Sequence, residues 1–74
     1  MAQDDRFDLF ITDLFVLYSR LARETTSNRQ HVIAASRRAL AVLRAYRPQD
    51  EGEEILIETA VEQFEDLIRR AGGR

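Results

Sequence analysis

Cysteine and lysine are missing from this chain, histidine and proline occur once each, and glycine only three times. Each absence excludes something. Without cysteine there are no disulfides and no thiolate metal sites. A single histidine leaves no Cys/His set for zinc. Gly52, Gly72 and Gly73 are too sparse for a phosphate-cradling loop. Long hydrophobic runs are missing too: Leu14 to Tyr18 is an uninterrupted apolar run of five residues, against roughly 20 for a membrane-spanning helix. The opening residues MAQDDR are acidic where a signal peptide would be basic. The expectation is therefore a cytoplasmic protein with no membrane partner. Lysine's absence, with all eleven basic residues arginine, fits GC-rich coding in a bacterium or its phage.

What is present describes a small folded object. Apolar residues make up 45% and charged residues 32% of the chain, a globular balance and not a disordered one. A chain of 74 residues is one domain, expected over 1–74. At this size only about 60% of the unfolded surface is buried on folding, so small domains usually need a staple. With disulfides and metal excluded, oligomerisation is the staple that remains. The net charge of -2 argues against a dedicated nucleic-acid binder, which would be clearly basic. That average hides a split: residues 1–47 hold eight Arg against five acids (+3), and residues 48–74 three Arg against eight acids (-5).

Two turn signals, ETTSN (24–28) and YRPQDEGE (46–53), divide the chain into three segments. Pro48 cannot continue a helix and biases Arg47 away from helical angles. The spacing of apolar residues predicts helices over about 5–23, 28–46 and 51–71. In helix one, Phe7, Phe10, Ile11, Leu14, Phe15, Leu17, Tyr18, Leu21 and Ala22 fill an arc of about 160° at 100° per residue. In helix two the apolar face is Val32, Ala35, Ser36, Ala39, Leu40, Val42, Leu43 and Tyr46, with Ala34, Ala41 and Ala45 behind it. Ser27 with Gln30 fits a capping box at its start. In helix three the face is Leu56, Ile57, Ala60, Val61, Phe64, Leu67, Ile68 and Ala71. Asp50 and Glu53 are placed to cap it, and Gly72 to end it in a left-handed conformation. Glu65 with Arg69 and Asp66 with Arg70 have the spacing of i,i+4 ion pairs. Nothing reads as a strand. The expected fold is all-α, a three-helix up-down-up bundle.

Helix one has more apolar surface than such a bundle uses. Leu9 and Val16 lie seven residues apart on the side away from the main arc, among Thr12, Asp13 and Arg20. These five residues are the expected interface of a symmetric homodimer, the commonest soluble oligomer, with a larger protein partner as the alternative occupant. The expected function is a small protein–protein interaction module: a regulator, an adaptor or an accessory subunit.

Arg37, Arg38, Arg44 and Arg47 are the candidate contacts of an alternative reading, a nucleic-acid-binding regulator. Against it, Arg38 lies about 100° round the helix from Arg37, and no exposed aromatic interleaves with them for base stacking. Arginines near helix three are better placed to pair with its carboxylates. Glu54, Glu58, Glu62 and Glu65 form an acidic stripe off the apolar face. Di-iron bundles need Glu-x-x-His motifs, and helix three has no histidine, so the stripe reads as solvated or arginine-pairing. His31, in the first turn of helix two, has no nucleophile beside it. Ser19, Ser27 and Ser36 lack a glycine elbow and a paired base. The chain is expected to have no catalytic, cofactor or metal site, and not to be an enzyme.

Overall fold

The computed structural model describes residues 6–73. They form three helices, α1 (Arg6–Ala22), α2 (Arg29–Ala45) and α3 (Glu51–Arg70), packed as an all-α bundle. The expected first residue of helix one, Asp5, lies outside the described range. Side-chain contacts give the up-down-up order. Phe7 and Phe10, at the start of α1, meet Tyr46 just past the end of α2, with ring centroids 5.4 and 5.1 Å apart. Arg29, at the start of α2, donates from Nε to the carbonyl of Ala71 just past α3, at 2.8 Å. Tyr18 of α1 sets its ring edge-on to Phe64 of α3 at 6.0 Å, so α1 and α3 run parallel.

The buried set follows the helical periodicity. It comprises Phe7, Ile11, Leu14 and Leu21 from α1, Val32, Ser36, Ala39, Leu40 and Leu43 from α2, and Ile57, Ala60, Phe64, Leu67 and Ile68 from α3. α3 is the central element: it packs most closely on α2, next on α1, while α1 and α2 touch least. That asymmetry explains two departures from the expected core. Val42 is 49% exposed and Leu56 38% exposed. Both sit at the margin of their helix's apolar arc, near the end of the bundle where the α2–α3 connection lies. A helical angle says that a residue borders the core, but not whether a third helix reaches over that border.

The ends of the helices are held by specific polar contacts. Asp50 caps α3, its Oδ1 accepting from the backbone N–H of Glu53 at 2.8 Å. Glu53 does not close the capping box on Asp50. Its Oε1 reaches one residue further back, accepting from the N–H of Gln49 at 2.9 Å and from the Tyr46 hydroxyl at 3.1 Å. The same carboxylate thus ties the end of α2 to the start of α3. At the far end Gly72 takes φ +88°. Its N–H donates to the Arg69 carbonyl at 3.0 Å, and that of Gly73 to the Ile68 carbonyl at 2.7 Å, the paired pattern of a Schellman stop.

The start of α2 differs from expectation. Its N-cap is Asn28, which makes no side-chain capping bond, and Ser27 lies in the preceding turn. The connection is itself closed by backbone bonds, Glu24 N–H to the Leu21 carbonyl and Asn28 N–H to the Glu24 carbonyl, each at 2.9 Å. This places the helix start one residue later than a Ser27 cap would.

Ser36 is fully buried with no partner for its hydroxyl. An unsatisfied buried donor costs about 1–3 kcal/mol, so Ser36→Ala is expected to raise stability by about 1 kcal/mol, read as a higher denaturation midpoint. A lower midpoint would mean that the hydroxyl has a partner. Gly72→Ala should do the opposite. It forces a side chain into a left-handed conformation at about 1 kcal/mol, and its Cβ would run into the Arg29 guanidinium. The same denaturation curve should shift downward by at least that amount.

Candidate interaction surfaces

α1 carries its core residues on one side and Leu9 and Val16 on the other. Leu9 is 65% and Val16 52% exposed. Thr12, Asp13 and Arg20, the polar members of the same face, are exposed as well. Seven residues at 1.5 Å each separate the two aliphatic side chains by roughly 10 Å along the helix axis. The result is a narrow apolar ridge with a carboxylate and a guanidinium beside it. Its flanks are less completely covered than the core: Phe10, Phe15, Leu17 and Tyr18 pack against the core but remain partly accessible.

The arginines of α2 do not share one surface. Arg37 and Arg44 line a groove between α2 and α3, together with Arg69. Arg38 and Arg47 are exposed but do not line it. Arg44 donates from Nη2 to Oε2 of Glu65 at 2.8 Å. That contact corrects the expected Glu65–Arg69 pair. Glu65 lies on the side of α3 that faces α2, within reach of a cation from across the groove, and Arg69 pairs instead with Asp66 at 3.4 Å. Asp66 also takes Arg70 at 3.6 Å, the i,i+4 pair expected for it.

Of the acidic stripe, Glu65 is thus committed to Arg44. Glu54, Glu58 and Glu62 stand exposed along the wall of a second groove, floored by Leu43, Ile57 and Val61 and bordered by Tyr46 and Arg44. Among the described residues, no cluster of three or more His, Asp or Glu side chains could hold a metal ion, and no helix is long and apolar enough to cross a membrane. His31, Ser19 and Ser27 are exposed, and Ser36 is the buried hydroxyl described above.

Two surface features escape sequence reading. One is the end cluster of Phe7, Phe10, Tyr46, Gln49 and Glu53 with Arg6, around a depression of about 300 Å³. Its members lie some 40 residues apart in sequence, so no local pattern could group them. The other is the exposure of Val42, Ile55 and Leu56, beyond the two aliphatics expected outside.

The Arg44–Glu65 pair is 60% and 41% exposed, where ion pairs contribute about 0–1 kcal/mol. Arg44→Ala should therefore move the unfolding free energy by less than about 1 kcal/mol in denaturant titration. A larger loss would mean that the guanidinium stem packs more than the charge pairs. Compared with known proteins, the chain matches no family model, and no curated protein or solved structure is similar to it.

Proposed function

We propose that this chain is a small helical protein–protein interaction module that acts through homodimerisation and helix packing, with the outer face of α1 as its docking ridge. The observation that carries this reading is the pair Leu9 and Val16, 65% and 52% exposed, on a helix whose opposite face already closes the core. A second α1 laid along the ridge would cover both side chains, and Asp13 and Arg20 at its edge would set orientation and association rate more than affinity.

Magnitudes decide what kind of dimer this is. Fully covering one aliphatic side chain contributes about 1.5–3 kcal/mol, and two-fold symmetry counts each residue twice. Against an association cost of about 4–15 kcal/mol, such a ridge supports a dimer that dissociates on dilution. A module of this kind exchanges partners readily, which suits a regulator or an accessory subunit. The scatter of the α2 arginines, with Arg38 and Arg47 outside the groove that Arg37 and Arg44 line, favours protein over nucleic acid as the partner.

Light scattering on a size-exclusion column, at about 0.5 M salt where exposed charges act over less than about 5 Å, isolates the apolar ridge. Mass is expected to rise toward twice 8.6 kDa across a hundredfold increase in concentration. Val16→Glu should hold it at the monomer mass, with helicity by circular dichroism intact. A Val16→Glu chain as large as the wild type would remove this ridge from the interface.

A further inference from the structure

Charge is segregated between the two most closely packed helices. α2 contains Arg29, Arg37, Arg38 and Arg44 and no acidic residue, whereas α3 contains seven acidic residues and two arginines, both in its last turn. The helices lie antiparallel, so their shared outer face has Arg37 and Arg44 on its α2 edge and, on its α3 edge, Glu54, Glu58, Glu62 and Glu65, followed by Arg69 toward the far end. Between the edges runs a groove of about 890 Å³ floored by Leu40, Ala41 and Ile68. It meets a second groove, of about 400 Å³, at Arg44, which borders both. The exposed Ala34, Ala41 and Ala45 keep the outer side of α2 low, which lets another helix approach closely.

The acidic edge is not paired among the described residues. Glu54, Glu58 and Glu62 follow one another at i,i+4 spacing, where like charges repel, and none of their carboxylates has an ion pair or hydrogen bond among the described residues. Across the groove, Arg44 uses one N–H on Glu65. A guanidinium has five such donors in a planar fork, so Arg44 keeps capacity for a second carboxylate.

A face with one basic and one acidic edge is complementary to itself. A two-fold axis parallel to the helices places the α2 of each copy over the α3 of the other at the same height, so Arg44 of each copy meets the acidic Glu58 and Glu62 stretch of its partner. We propose that a second copy of this chain docks on the α2–α3 face in this way, with Arg44 of each copy reaching the partner's Glu58 and Glu62. This surface lies apart from the α1 ridge and is held by charge, so the two respond oppositely to salt.

The test uses the Val16→Glu chain, which lacks the α1 ridge, in light scattering at about 0.05 M and about 0.5 M salt, where the screening length falls from roughly 14 Å to roughly 4 Å. The expected mass is twice 8.6 kDa at low salt and 8.6 kDa at high salt. Adding Arg44→Glu, or Glu58→Arg with Glu62→Arg, should each abolish the low-salt dimer. Mixing those two chains in equal amounts should restore it, because each reversed edge then meets its complement. A Val16→Glu chain that stays monomeric at low salt overturns the proposal, and so does a mixture that fails to reassociate. If a reversal lowers helicity, Arg44→Gln and the pair Glu58→Gln, Glu62→Gln replace it, and each should weaken the low-salt dimer. Unchanged association in both replacements overturns the proposal equally. The wild-type dimer at high salt reports on the α1 ridge alone, so either surface can fail without the other.

Discussion

Everything in this bundle leans on one face of α3. Ala60, Phe64 and Leu67 are completely buried, and α3 is the helix that packs most extensively on both of its neighbours. α2 covers one side, through Leu40, Leu43 and the Ile57 and Ile68 flank. α1 covers the other, with the Tyr18 ring set edge-on to Phe64. α1 and α2 then meet only lightly. This explains both the close seam between α2 and α3 and the incompletely covered flanks of α1. A three-helix bundle of this size cannot give every helix two full interfaces. Here the shortfall falls on the N-terminal helix, which is also the most apolar.

The two ends of the bundle are closed by polar contacts that cross from one helix to the next. At one end the Glu53 carboxylate gathers the Gln49 amide and the Tyr46 hydroxyl, while the Tyr46 ring stacks against Phe10 at an interplanar angle of 17°. At the other end, Arg29 donates to the Ala71 carbonyl, placing a cation where the dipole of α3 is negative. Helix-terminal contacts of this kind contribute on the order of 1 kcal/mol each, a sizeable share of the few kcal/mol that a small single-core domain has in total. They also fix the lengthwise register of α2 on α3, which apolar burial alone would leave loose. The α2–α3 hairpin is thus the better-defined unit, with α1 laid across it.

The surface follows from the same economy of contacts. α1 already meets the core with one side, so Leu9 and Val16 on the other are left 65% and 52% exposed. The arginines of α2 and the carboxylates of α3 lie on the outside of the hairpin. They meet across the groove at Arg44 and Glu65, where two exposed side chains span it at 2.8 Å. The molecule therefore presents two surfaces of different physical character, one apolar and narrow, the other broad and charge-segregated. Association on the first, as proposed, would depend on excluded water and on the second on ionic strength.

Much of this was legible in the sequence, and the reason is periodicity. Apolar spacing, Pro48, Asp50 and Gly72 placed all three helices to within a residue or two, because helix formation and termination are local events. The exposure of Leu9 and Val16 followed from the same angles, since both lie opposite the arc by which α1 meets the core. The tertiary structure decided what depends on neighbours distant in sequence. It chose Asn28 over Ser27 because a backbone-closed turn precedes α2, and it gave Glu65 to Arg44 because α2 passes beside it. Val42 and Leu56 stay accessible because no helix extends over their margin of the core, and Ser36 lies in the core with its hydroxyl unpaired. Local energetics determined the elements, and the packing order around α3 decided which of their edges remained at the surface.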